Sequence, residues 1–551
     1  MPTFVPPVSS FVVRVVALLQ SRLAKPLDLL LLSGAIVAAL TGGSWAHAAT
    51  ITAASCSSAA VQTALNQAAA GDTVRIPAGT CSWTSTVSWN APANVSVLGA
   101  GSLSVQGGGD ATVFVDNVGG GQPLLSISTN GSGTFSFGGI TIRGGSGSVK
   151  EGGMIAFRGT GSRTRIHNIH IDKSTYSPQN TGKFMVIGGM VRGVIDNSLF
   201  NAGNEIAWIH FVNGEGAGHG DTTWTQPTGF GTADFMFVED SRLIANRSGS
   251  LPPRGTFSDC HTGGKFVIRY STTFNGNVGQ THPTGHAGDD RGCRGYELYG
   301  ITATADHNGR EPTFAFSYNN SGPALNWGNS VDNVYKNIIY FNVCMSGTSC
   351  GYSPPYGGWG LCNGTGSWHG NQQSNGYPCV DQPGRGQGDQ LTGTFPNKIN
   401  AAMGRAAWPR QQLEPVYEWL TTGRTATGWG GSWVNNNAPS HVVQNRDFFV
   451  HYGNTSCNAG AATCAGGVGV GTLAERPAAC ALNTAWWATD QGGDWNKQNG
   501  TANDGALYRC TSANTWQLYY TPYSYPHPLR TGQAPAPAPA ALPAPSGLLV
   551  R

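Results

Sequence analysis

The sequence predicts an all-β chain wound as a parallel β-helix, and three observations carry that expectation. Of 551 residues, 79 are Gly and only 11% are charged, a turn-dense composition that lacks the G-X-Y period of collagen. A unit of one short alternating strand and a polar turn recurs as FGGITIRG, RIHNIHID, VIDNSLFN, VEDSRLIAN, IRYSTTFNG, LYGITAT and YKNIIYFN. Anchored at Gly138, His167, Asp196, Asp240, Tyr270, Tyr299 and Lys336, the steps are 29, 29, 44, 30, 29 and 37 residues, so one coil takes about 29. No strand of that length buries its apolar face alone. Coils stacked about 4.8 Å apart pair every backbone group and merge their inward side chains into one core.

The elements follow in order. Residues 1–48 read as an export signal: Arg14, Arg22 and Lys25, an apolar run from Leu27 to Leu40, then Ala46-His47-Ala48, with cleavage expected after Ala48. The run is short of the roughly 18 residues that span a bilayer, although a retained N-terminal anchor is the competing reading, and no later stretch could span. Ala60 to Ala70 reads as an amphipathic helix that caps the first coil. Residues 49–440 are expected to form the β-helix with long loops. Asn168, Asn197 and Asn337 sit at one point of the unit, where a bend with stacked amides is expected. The two long steps hold insertions near Gly214 to Trp224 and near Phe316 to Trp327. Past Phe341 the period fades. Residues 441–530 read as terminal coils or as a small aromatic-rich module over Arg476 to Arg530, and 531–551 as an extended Pro/Ala-rich tail.

All twelve cysteines follow Ala48 and fall in local pairs: Cys56/Cys81, Cys260/Cys293, Cys344/Cys350, Cys362/Cys379, Cys457/Cys464 and Cys480/Cys510. No C-x2-C occurs, so disulfides in an oxidising compartment are expected rather than zinc. Thirty-two Lys and Arg balance 29 Asp and Glu, which leaves no cationic excess for a nucleic-acid partner. A secreted protein, extracellular or periplasmic, with no membrane attachment after cleavage is expected, and a monomer.

With the helix followed by VLGAG, the coils, and the block RGCRGYELYG, the chain resembles secreted bacterial right-handed parallel β-helix proteins of the pectate-lyase-like superfamily, over roughly residues 52–530. It is most similar to a subgroup carrying YPCVDQPGR, LEPVYEW and YTPYSYPHPLR, mostly without assigned chemistry. The resemblance implies lyases of acidic polysaccharides, glycoside hydrolases or non-enzymes, with calcium common among the lyases. The lyase calcium-and-arginine motifs and the hydrolase Asp pairs of that superfamily have no counterpart here, so no catalytic residue is carried over.

The candidate chemistry comes from the residues themselves. Asp259-Cys260-His261 is followed by His282, His286, Asp289, Asp290, Arg291, Arg294 and Glu297. Asp259 and Asp289 stand about one coil apart, with Cys260/Cys293 joining their loops. β-Elimination from a uronate needs a neutralised carboxylate, a base and an acid. Calcium on Asp259, Asp289 or Asp290, or else Arg291 or Arg294, would supply the first, and His286 or His282 the second. The plain alternative is a structural His-Asp-Arg network.

His167, Asp196, Asp240, Tyr270 and Tyr299 share one position of the unit and are expected to point outward as a sugar-binding stripe, with Trp224 covering the groove. Glu239 and Arg269 are expected either as a buried pair on adjacent coils or, in a shifted register, as groove residues. Asp196, Asp240 and Glu239 also keep a glycoside hydrolase open. The third reading is a non-catalytic protein that holds an extracellular polysaccharide.

Overall fold

The computed structural model describes residues 48–146, 150–176, 182–203, 207–212, 226–245, 255–282, 292–306, 314–332, 335–342, 381–386, 412–423, 432–437, 439 and 442–531. The architecture belongs to the compact unit that begins at Thr50. It is all-β, built mainly of large parallel sheets.

Among the described residues the stack begins with the strand Thr50–Thr52, which pairs with Thr73–Arg75, and the helix Ser58–Gln67 lies between the two. The Ser57 hydroxyl accepts the Ala60 N–H at 3.3 Å and so satisfies one orphan donor at the helix start. Val61, Ala64 and Leu65, spaced three and four apart, enter the core.

In the first sheet, Ile166, Ile195, Val238, Ile268 and Leu298 are Cα partners on successive strands, each fully buried. The neighbouring file runs His167, Asp196, Glu239, Arg269, Tyr299, Trp327 and Trp419. This corrects the expected register by one residue at Asp240 and Tyr270. Both sit at the bend, with φ of 49° each, beside Asn168 at 48° and Asn197 at 49°. A one-residue slip exchanges the two faces of a strand, and the bend's demand for left-handed backbone, rather than the apolar pattern, fixes the alignment.

Serine ties three of the bends together, and Asn329 ties another, its Oδ1 accepting the Ile301 N–H at 2.9 Å. The hydroxyls of Ser198, Ser241 and Ser271 each donate to the carbonyl two residues back, Asp196, Glu239 and Arg269, at 2.8 to 3.0 Å. In turn they accept the backbone N–H of Ile169, Ser198 and Ser241 from the preceding strand. Buried backbone donors that the bend takes out of the ladder are thereby satisfied. Asn337 is not part of this series. It begins the strand Asn337–Phe341, which pairs with Phe314–Asn319 and Ser432–Asn436 in another sheet.

The stack also continues where the sequence period fades. Val416–Trp419, from LEPVYEWL, lies on Ala324–Trp327, and Phe448–Val450 lies on Val416–Trp419.

A second sheet runs Val87–Asn90, Leu125–Thr129, Ile155–Gly159, Gly182–Gly188, Ala207–Val212 and Gly255–His261, all parallel. The bridge from Cys260 to Thr281 leads on to Gly279–Gln280 and Phe314–Asn319. Phe157, Ile187, Phe211 and Cys260 point into the core, so the alternate residues of these strands face outward.

Near the C-terminus, Val468–Gly471, Ala485–Ala488, Ala506–Ser512 and Thr515–Tyr520 make a small sheet of their own. Its Trp487, Leu507 and Tyr520 form one apolar cluster with Phe237, Val267, Leu325 and Tyr417 on the outer face of the first sheet. Tyr299, Trp327 and Trp419 stack nearly parallel up that face, with centroids 4.5 and 5.6 Å apart.

Four expected disulfides are present: Cys56–Cys81, Cys260–Cys293, Cys457–Cys464 and Cys480–Cys510. The pairs Cys344/Cys350 and Cys362/Cys379 and the export signal lie outside the described residues. Among the described residues no helix is long and apolar enough to cross a membrane.

Candidate functional site

The expected sugar-binding stripe is not open. Asp196, Glu239, Arg269 and Tyr299 are all fully buried because the segment YTPYSYPHPLR lies over them. Arg269 donates to Glu239 at 2.7 Å, to the Tyr299 hydroxyl at 2.8 Å, and to the carbonyls of Tyr523 and Ser524. Arg165 grips Asp196 through two bonds of 2.9 Å. Arg530 reaches Glu239 at 3.0 Å and also contacts Asp196 and Asp240. Tyr525 donates to Asp240 at 2.8 Å and stacks on Tyr270. His167 is half-buried, bonded to Ser136 and Asn168. Every carboxylate here has an Arg partner, so the expected pair of catalytic carboxylates at Asp196 and Asp240 with Glu239 is instead a lock for the C-terminal segment. The buried Glu239–Arg269 pair is the structural of the two expected arrangements.

Arg294 is likewise engaged away from Asp259. It donates to the Gln226 carbonyl and lies 4.0 Å from Glu414. Glu297 accepts the Gly231 N–H and the Tyr520 hydroxyl, each at 2.7 Å, beneath the C-terminal sheet. Burial pushes its carboxyl up, against the pull of these two donors.

What the fold does assemble is a histidine-aspartate cluster on the outer face of the second sheet. Ala207–Val212 sets His210 on that face, opposite Asp259 in the strand Gly255–His261. His261 follows two residues on, and the Cys260–Thr281 bridge brings His282 alongside it. Asp259 Oδ1 lies 2.8 Å from His282 Nε2, and the Gln280 amide lies 3.2 Å from the same nitrogen. The His210 and His261 rings are 4.5 Å apart, and His261 and His282 meet edge to face at 6.1 Å.

Burial acts in opposite directions on this cluster. It would raise the Asp259 carboxyl, but the imidazole of His282, with His261 behind it, overrides burial and holds it far below the usual carboxylate range. Burial dominates at His210, whose imidazole is held well below its ordinary value and is neutral at pH 7. Its Nε2 is buried with no hydrogen-bond partner among the described residues.

Two threads tie down the chain at His282 and at Gly292. The Ser321 hydroxyl donates to the His282 carbonyl at 2.7 Å and accepts the Cys293 N–H at 2.9 Å. Asp381, from YPCVDQPGR, accepts the Gly292 N–H at 3.0 Å.

His286, Asp289, Asp290, Arg291 and Trp224 lie outside the described residues. The strand next to Asp259 is Gly279–Gln280, so the residue one rung from Asp259 is Gln280 and not Asp289 as the 29-residue step implied. As a calcium ligand, Asp259 is turned toward imidazole nitrogen and not toward a ring of oxygens, so the described donors do not fit that ion. Among the described residues no group of three acidic, His or Cys side chains is placed to hold a metal.

His210 was missed in the sequence. Its signal was the alternation in AWIHFV, which puts Trp208, His210 and Val212 on one face and Ala207, Ile209 and Phe211 in the core.

No family model and no curated protein matches the chain. Among solved structures, the crystal structure of an alginate lyase from Paenibacillus sp. str. FPU-7 aligns over 53% of this chain and 99% of that chain, at 16% identity and a TM-score of 0.29. At that score the likeness carries no weight for the site.

Proposed function

We propose that the chain is a secreted right-handed parallel β-helix that cleaves an acidic, uronate-containing polysaccharide by β-elimination at the His–Asp cluster. The observation that carries this reading is the buried Asp259 held ionised 2.8 Å from His282 on an outward-facing file of a long parallel sheet. A carboxylate held this close to one imidazole nitrogen orients the ring and leaves the other nitrogen to act as the proton acceptor. His282 then removes the proton from the carbon next to the uronate carboxylate. The electron pair left behind forms the C4–C5 double bond as the C4–O bond breaks, and His261 gives its proton to the departing oxygen. Arg291 is the cation assigned to the substrate carboxylate. No step is routed through calcium.

The test incubates the mature protein with purified uronate-containing and neutral polysaccharides, with calcium or chelator, and follows unsaturated product and reducing ends together. Unsaturated product from the uronate polymers alone supports the reading. Reducing ends without unsaturation would replace it with hydrolysis.

A second reading, non-catalytic glycan binding, has one observation in its favour. Tyr452 is 58% exposed and lies flat on Trp433, ring centroids 4.0 Å apart, an aromatic platform of the kind on which a sugar ring stacks. Binding with no product of either kind would select it.

A further inference from the structure

The outer face that carries the histidines runs on past them. Cα pairing puts Ser128, Arg158, Gly188, Val212 and His261 in one file across successive strands, and His282 extends it through the Cys260–Thr281 bridge. At the far end of this file lies an open cleft of about 740 Å³ lined by Thr86, Ser88, Gln122, Ser126, Glu151 and Arg158.

Arg158 is the cation of that cleft. It is exposed, and no hydrogen bond or ion pair engages its guanidinium among the described residues. The acid in the lining, Glu151, is paired with Lys183 at 2.7 Å and not with Arg158. Gly188 leaves room for Arg158 to lie across the file: a Cβ there would sit 3.2 Å from Arg158 Nη1. The guanidinium therefore reaches the next strand, two strand spacings short of His261, or about 10 Å.

We infer that this cleft is a distal subsite for an acidic sugar of the same polymer, with Arg158 pairing its carboxylate and the Ser88, Ser126 and Gln122 side chains meeting its hydroxyls. The inference rests on the uronate reading above and extends it. A chain laid along the file crosses strands about 4.8 Å apart, so a polymer long enough to span them puts a carboxylate at Arg158 when another sugar sits at His282. A planar guanidinium suits a carboxylate through two parallel hydrogen bonds. The site then favours longer chains, because only they reach both ends.

The test measures binding of oligouronates from disaccharide to hexasaccharide, with neutral hexasaccharides as controls, by calorimetry. The proteins are His282→Ala, which removes turnover, and the same protein carrying Arg158→Ala or Arg158→Lys. The expected result is that Arg158→Ala weakens the acidic hexasaccharide about tenfold, leaves the disaccharide unchanged, and is partly rescued by Arg158→Lys. Circular dichroism and melting of each variant check folding; Arg158 is exposed, so none should change. Equal affinities with and without Arg158 at every length would overturn the subsite, even where the parent protein makes unsaturated product. Length-dependent binding that Arg158→Ala abolishes, in a protein that makes no product, would keep the subsite and remove the lyase reading. No binding of any uronate would remove both.

Discussion

Arg269 and Glu239, on adjacent strands and in register, form an ion pair of 2.7 Å from which water is wholly excluded. Arg269 makes three further hydrogen bonds, to Tyr299, Tyr523 and Ser524, and Glu239 accepts from the His527 N–H and from Arg530. The pair is thus the point where the C-terminal segment is fastened to the stacked strands. A buried pair contributes little beyond an apolar isostere, but removing Arg269 leaves the buried Glu239 carboxylate with only the His527 N–H and Arg530 and strips the Tyr523 and Ser524 carbonyls of their donor.

That asymmetry makes Arg269→Met costly, by about 3–5 kcal/mol in urea unfolding. Arg165→Met should cost far less, about 1 kcal/mol or below, since Arg165 is a quarter exposed and Asp196 keeps Arg530. Equal costs would show that the segment is not held through Arg269.

Glu418 occupies the inward file, between Asn326 and Val450, and burial pushes its carboxyl up to about 7 from an ordinary 4.5. The folded state therefore holds a proton that the unfolded chain releases above pH 4.5. Stability should fall as pH rises from about 4.5 to 7 and then level off, by on the order of 3 kcal/mol from this group. Glu418→Gln should flatten that decline, read as unfolding midpoints at pH 5 and pH 8. An unchanged pH profile in the variant would contradict the assignment.

Gly300 and Gly328 make the same bend, with φ of 64° and 59°. A Cβ at Gly328 would meet nothing within 4 Å, whereas at Gly300 it would meet the Tyr270 ring at 2.8 Å. Gly328→Ala should cost only the left-handed backbone penalty, about 1–2 kcal/mol. Gly300→Ala should cost clearly more, because Tyr270 is itself pinned against Tyr525. Matched thermal melts decide, and the reverse order would count against the bend geometry.

At the candidate site, Asp259→Asn keeps the shape and removes the charge that orients His282. Turnover of a uronate polymer should drop about a hundredfold or more with KM little changed. A change confined to KM would make Asp259 a substrate contact instead. The variant should also unfold less readily in acid, relative to neutral pH, than the parent. A carboxyl held below 3.8 stabilises the fold above that value and loses this contribution as pH falls through its depressed value.

The sequence by itself determined that the chain is all-β with parallel strands at a near-constant step, where the N-terminal helix lies, and which local cysteines pair at four of the six places. These follow from short-range rules: period-two alternation, small or polar residues at bends, and short loops between cysteines. It also marked Asp259 and His282, because they belong to a dense run of ionisable residues from Asp259 to Glu297 in a chain only 11% charged. Only the tertiary structure decided which faces are open. Asp196 and Tyr299 looked outward and are outward, yet a segment more than two hundred residues later covers them, and no local pattern encodes that distance. The same holds for His210, some fifty residues before Asp259, which pairing between strands alone brings opposite it. A register set by left-handed bends, and a face closed by a remote segment, are properties of the stacked chain and not of any window of its sequence.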